Sequence, residues 1–295
     1  MNTTTGAQQA VRPAATTPCA KVNDDRVQEA VLRSSIKIMS TYQSVLKSTR
    51  KGIGLSGGIL KLFATLMMTA YSFAVVIIKN GKLYGYSEEY YQMAIATAEG
   101  MRWLRLYDIL HFCGFFCFPI FAFLCVEGFI HTSDFWKYFG RMLVFALLSE
   151  VPFDLCMYNE TYHFALQNPM LTLALGLLVM YGMKQNRKRI ERKWLCVVAG
   201  CAAAYIAHLQ FGVFAILGMA LMYNFHKEKT LQIASGVLTT AAGSVSAHFL
   251  PVLCFLPIGL YNGERGRLHP KWLFYLYYPL HLTVFYMMIY IGALL

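Results

Sequence analysis

The stretch WLFYLYYPLHLTVFYMMIYIGALL, residues 272–295, decides the fold class: it carries no Asp, Glu, Lys or Arg and is long enough to cross a bilayer as a helix. Near its middle stand Pro279 and His281, which raise the functional question. His281 falls nine residues beyond Trp272, about 14 Å along a helix, too deep to reach the interface. Pro279 removes an intrahelical hydrogen bond and frees a carbonyl, commonly beside a cavity. Two readings of His281 stand side by side. It is either a structural histidine bonded to a neighbouring helix, or a neutral imidazole able to take a proton from an attacking amine or hydroxyl.

Working outward, similar apolar runs recur from about residue 58 onward. Of 295 residues, 57% are hydrophobic and 14% charged, against about 25% charged in an average soluble domain. The expectation is an all-α, polytopic transmembrane helical bundle of about nine spans, in a range of roughly eight to eleven. The spans are placed near 58–79, 108–130, 135–155, 168–183, 194–208, 210–225, 230–247, 249–261 and 272–294, the fifth and sixth being short with a hinge near His208–Gln210. Basic residues collect in KQNRKRIERK (184–193), HKEK (226–229), GERGRLHPK (263–271) and the N-terminal segment. An odd count with a cytoplasmic N-terminus puts all of them inside, in a multi-pass protein of the plasma membrane. The net charge of +11 is then a feature of the face toward the anionic leaflet, and no nucleic-acid partner is expected.

Residues 1–54 read as a polar tail containing an amphipathic interfacial helix between about Asn23 and Arg50, or an ordinary solvated helix leading into the first span. Residues 55–295 read as one membrane domain. Between the first two spans, 80–105 reads as the longest external loop, with aromatics at headgroup level. Most of the eight cysteines sit inside apolar runs and read as small hydrophobes. Cys113 and Cys117 share a helix face but lack the partners of a zinc set, so no metal is expected.

An ionisable group at the centre of a span costs about 2.5–3.5 kcal/mol, so each one needs a reason. Lys61 and Arg141 lie near inner ends and can snorkel. Asp108 and His111, three residues apart, can form a carboxylate–imidazole pair. Glu127 and Arg141, at the inner ends of consecutive spans, are expected to pair with one another, and Glu150 is expected to be paired or protonated. His281 is expected to face an interior cavity open to the cytoplasm, within reach of LYNGERG (260–266).

LKLFATLMM (60–68), FCFPIFAFLCVEGFIHT (116–132), KYFGRMLVFALLSEVPFDL (137–155), NPMLTLALGLL (168–178), LYNGERG (260–266) and FYLYYPLHL (274–282) occur in the order found in the TraX family, which the chain resembles from about residue 55 to 285. That family takes its name from the membrane protein that N-acetylates F-type pilin. The resemblance implies a membrane acyltransferase using cytoplasmic acyl-CoA, acetyl-CoA above all, as donor to a peptide, lipid or glycan acceptor. It implies that His281, Asn262, Gly263, Arg265, Gly266, Glu127 and Arg141 match residues typical of the family. One departure stands out: where relatives usually carry an Asp-His pair, this chain has Tyr71 and Ser72, and Phe115 replaces an Arg. Either the histidine role has moved, to His281 as the first candidate base or to His111 as the second, or this member does not acylate; Asn262, Tyr261, Tyr71 and Ser72 are candidate donors to a developing oxyanion. Arg265, Arg267, Lys271 and Arg141 are candidates for the CoA phosphates. A non-catalytic binding relative and a proton-linked transporter are the alternatives.

Overall fold

The computed structural model of the chain describes residues 33–34, 54–264, 266 and 271–294. Apart from Arg33 and Ser34, the helix expected near Asn23 to Arg50 lies outside them, as do Arg265 and Arg267. Ser56 opens α1 (Gly57–Phe73) by accepting a hydrogen bond from the Ile59 backbone N–H. Without a break the chain widens into a π-helical segment, Ala74–Lys82. It continues through α2 (Glu88–Ile95), α3 (Ala98–His111), α4 (Gly114–Ile130), α5 (Phe135–Tyr158), α6 (Pro169–Gln185), α7 (Ile190–Ile206), α8 (Gly212–Asn224) and α9 (Lys229–Gly243). Two 3-10 turns, Val245–Ala247 and Leu250–Cys254, lead to α10 (Phe255–Gly259), and α11 (Lys271–Leu294) follows. Among the described residues there is no named strand, only isolated bridges at Leu55–Tyr261 and Gln167–Leu209.

Polar contacts sort the helix termini into two ends of the bundle. At one end Lys193 reaches Asn224 and Lys184 lies over the Phe129 ring. There too, Lys229 donates to the carbonyls of Gly259 and Tyr261, and Leu55 and Gly57 pair with the backbone of LYNGERG. The basic loops at 184–193 and 226–229 and the starts of α1 and α11 therefore share this basic end. At the other end Asn80 and Tyr86 donate to the Cys156 carbonyl, Tyr286 donates to Asn159, and Gln167 pairs with the backbone at His208–Gln210. The core between them is centred on α4, whose Ile120, Phe123, Val126 and Phe129 are buried. Outward faces are apolar instead, as Val144, Leu147, Leu148 and Val151 on α5 and Leu280, Val284, Met287 and Ile291 on α11 show. Exposed apolar stripes of this extent mark surfaces that contact a membrane or another protein.

Among the described residues, three helical stretches are long and apolar enough to cross a membrane, Gly57–Lys82, Ala98–Ile130 and Trp272–Gly292. They mark the chain as a membrane protein. Two expectations differ from the structure. The segment 80–105 is not an extended loop: after Ser87 it forms α2, and Thr97 caps α3 by accepting from the Gly100 N–H at 2.9 Å. The expected eighth span at 249–261 is not one continuous helix. His248 and Phe249 both take left-handed backbone conformations, and a 3-10 turn plus the five-residue α10 follow. Leu250–Gly259 together rises only about 17 Å, against a hydrocarbon core of about 30 Å.

Candidate functional site

A cavity of about 440 Å³ lies inside the bundle, lined by α1, α4, α5, α6, α8, α9 and α11. It extends from Lys61, Tyr138 and Phe274 near the basic end to His111, Gln210 and Ser244 toward the other. Lys61 sits over the Phe274 ring at 5.0 Å. Arg141 is exposed on α5, within electrostatic reach of the Tyr275 phenol that lines the cavity. Tyr71 and Ser72 also form part of the wall, Ser72 lying eleven residues along the helix from Lys61 and so about 16 Å away from it.

Behind Ser72 stands His281. Its Nε2 lies 3.1 Å from Ser72 Oγ, its Nδ1 lies 2.8 Å from the Tyr277 carbonyl oxygen, and the ring is only 5% exposed. A carbonyl only accepts, so Nδ1 carries the hydrogen and donates it. In the neutral ring Nε2 is then a bare acceptor, and the Ser72 hydroxyl donates to it. The imidazole is held by Tyr277, stacked parallel at 5.0 Å, and by Phe285, edge-on at 5.8 Å. A hydroxyl donating to a neutral imidazole whose other nitrogen is fixed is the arrangement that activates serine nucleophiles.

His281 is therefore buried away from lipid, and so is its partner, Ser72 being 2% exposed; Ser72 is part of the cavity wall and His281 is not. Its described partners come from α1 and α11, not from LYNGERG as expected. That motif serves as a latch. Asn262 Oδ1 accepts from the Glu264 backbone N–H at 2.9 Å, and the Tyr261 ring packs edge-on against Phe123. Gly266, at φ 75°, fits against Ser56 where a Cβ would come within 2.6 Å of its hydroxyl. Neither Tyr261 nor Asn262 is part of the cavity wall.

The expected pairs also differ. Glu127 does not meet Arg141; it accepts from Gln232 Nε2 of α9 at 3.1 Å and lies 3.9 Å from His131, because Arg141 points outward on α5. Asp108 is exposed and makes no ion pair with His111, whose ring packs against Tyr71 at 5.2 Å and Tyr107 at 5.1 Å. Glu150 is paired, with the neutral Asn168 side chain. Asp154, one helical turn on, accepts from the His163 N–H; Glu150 Oε1 and Asp154 Oδ1 are buried without a hydrogen-bond partner. Cys117 donates to the Gly114 carbonyl at 3.2 Å, a packing role. Sequence reasoning missed Thr69, Tyr277 and Asn168. Asn168 alone carried a legible signal, an Asn-Pro dipeptide opening an apolar helix.

The chain matches the family model described as TraX protein over residues 56–289. It is also 28% identical over 203 residues, 60% of this chain and 82% of the relative, to the "Probable fimbrial assembly protein FimC, serogroup H1" of Dichelobacter nodosus. No solved structure matches it. The family match begins at the Ser56 cap and ends eight residues beyond His281, enclosing both the Ser72–His281 pair and the cavity, and the chain belongs to the TraX family.

Proposed function

We propose that the chain is a multi-pass acyltransferase of the plasma membrane, with its basic end in the cytoplasm, that moves an acetyl or other acyl group from acyl-CoA to an amine or hydroxyl acceptor. The observation that carries this reading is the hydrogen bond from the Ser72 hydroxyl to the bare Nε2 of His281, at the wall of a cavity that begins near Lys61. Acyl transfer needs a base for the attacking group and donors for the oxyanion. His281 supplies the base, reached through Ser72, while Tyr71 and Tyr278 put phenol groups in the same cavity wall.

Lys61 and Arg141 provide positive charge where the CoA phosphates would sit, and the sequence adds Arg265 in the latch, Arg267 just after it and Lys271 at the start of α11. A cavity lined from Lys61 to Ser72 and beyond has room for the pantetheine arm, which would carry the thioester toward Ser72. A relative named for fimbrial assembly favours a peptide N-terminus of an exported subunit as acceptor. The test is acetyl-CoA consumption by the purified chain. Wild type is expected to release CoA, and a folded His281→Ala variant to lose about a hundredfold or more of that rate. Normal turnover in that variant would remove His281 from the chemistry.

A further inference from the structure

We infer that Ser72 is a covalent catalyst: its Oγ takes the acyl group from the donor and holds it as an ester until the acceptor arrives. This rests on the acyltransferase reading and adds an intermediate to it. Three observations carry it. Ser72 belongs to the cavity wall and His281 does not, so Ser72, itself only 2% exposed, is the residue that touches both the base and the space a substrate would fill. The hydroxyl already donates to a base locked in the accepting tautomer by the Tyr277 carbonyl, which is the geometry of an activated nucleophile rather than of a spectator donor.

The third observation is the position of Ser72 between two ends. Lys61 marks the near end about 16 Å away along α1; His111, Gln210 and Ser244 line the far part of the cavity. A donor entering from the basic end and an acceptor entering from the other need not occupy the cavity together if the acyl group is parked between them. The π-helical segment that begins at Ala74 interrupts the regular α-helical repeat just beyond Ser72, a departure often found at functional sites.

In the first half-reaction Ser72 Oγ attacks the thioester carbonyl and its proton passes to His281 Nε2. The tetrahedral intermediate collapses by breaking the C–S bond, and the CoA thiolate takes the proton from Nε2 as it leaves. In the second half the acceptor amine or hydroxyl attacks the Ser72 ester and gives its proton to Nε2. The C–Oγ bond breaks, and Ser72 regains its hydrogen from the imidazolium. No oxidant, reductant or metal is needed for the balance.

The experiment incubates the full chain in detergent with radiolabelled acetyl-CoA and no acceptor, then quenches in acid. Wild type is expected to keep label through denaturation, to release it in alkaline hydroxylamine as an ester does, and to carry it on the peptide containing Ser72. Ser72→Ala should show no label and lose about a hundredfold or more of CoA release. Ser72→Cys should gather label as a thioester, released by neutral hydroxylamine. Acetyl-CoA turnover by wild type with no trapped label, together with near-normal turnover by folded Ser72→Ala, would overturn the covalent role while leaving the acyltransferase reading in place. No CoA release by wild type with any acyl-CoA would bring down that reading, and this inference with it.

Discussion

Tyr277 and Thr69 meet through their hydroxyls at 2.7 Å, one turn along α1 from the Ser72–His281 contact and between the same two helices. The direction of this bond is fixed. Thr69 Oγ1 already donates its single hydrogen to the Thr65 carbonyl at 2.8 Å, so the Tyr277 phenol donates to Thr69. Tyr277 also supplies the carbonyl that holds His281 Nδ1 and the ring stacked on the imidazole. One residue therefore sets the tautomer, the tilt and the lateral position of the base.

From this follows a graded prediction at Tyr277. Tyr277→Phe keeps the stacked ring and the backbone carbonyl but loses the bond to Thr69, and should cost about 1 kcal/mol of stability with a several-fold fall in kcat at nearly unchanged KM. Tyr277→Ala also removes the ring, and its activity loss should be far larger than its further loss of stability. The check is thermal unfolding beside steady-state acetyl-CoA turnover. Equal turnover per folded molecule in wild type and both variants would mean that the ring does not position His281.

A second prediction concerns Asn168, which is fully buried and uses both halves of its amide. Its Oδ1 caps α6 by accepting from the N–H groups of Met170 and Leu171, and its Nδ2 donates to the Ala146 carbonyl and to Glu150. Asp is normally as good an N-cap as Asn. Here Asn168→Asp would turn a carboxylate oxygen toward Glu150 and the Ala146 carbonyl, so it should destabilise more than Asn168→Ala, by at least about 1–3 kcal/mol relative to wild type. Glu150→Gln keeps an acceptor for Asn168 and should be tolerated within about 1 kcal/mol. An Asn168→Asp chain as stable as wild type in thermal unfolding would contradict this account.

The helices that were legible in the sequence are those with long apolar runs and capping residues in the open, such as α1 after Ser56 and α6 after Asn168. The turn near His208–Gln210 was also legible, and the structure breaks the chain there between α7 and α8. α2 and α3 were not, because Glu88–Arg105 mixes charges and aromatics and resembles a surface loop when only apolar runs are counted. The break before α10 depends on left-handed conformations at His248 and Phe249, which these residue types do not announce. The candidate site was legible one residue at a time. His281 was flagged by depth and Ser72 by its departure from the family pattern, but their contact closes 209 positions of sequence. The Glu127–Arg141 expectation failed because loop proximity says nothing of helical phase: α5 turns Arg141 to the surface, while α9 brings Gln232 to Glu127.

Gly114 offers a test of the wall beside Ser72. A Cβ at this position would come within 2.4 Å of the Tyr71 ring, so Gly114→Ala must displace Tyr71, the neighbour of Ser72. Overpacking of this kind costs about 1–3 kcal/mol. Activity should fall further than that loss of stability explains, since the displaced ring shifts the cavity wall at the reacting hydroxyl. Tyr71→Ala in the same chain relieves the clash, so the two changes should be non-additive in stability, with the double variant more stable than the sum predicts. Strict additivity by thermal unfolding would show that the two residues do not press on each other.

The last prediction is the sidedness that the acyltransferase reading requires. Lys184, Lys193, Lys229 and Lys61 sit at one end of the bundle, held there by contacts to Phe129, Asn224, the Tyr261 carbonyl and Phe274. Loops rich in Lys and Arg stay on the cytoplasmic side of a membrane, so this end should face the acyl-CoA pool. The segment 159–168, at the opposite end with Phe164 exposed, should face outward. A cysteine placed at Lys188 should resist an impermeant thiol reagent added to intact cells and react after the membrane is opened. A cysteine placed at Phe164 should react in both conditions. Reversed labelling would put the basic end of the cavity outside, away from any CoA. The path from Lys61 to Ser72 would then open on the wrong face for a cytoplasmic donor, whatever the chemistry of the Ser72–His281 pair.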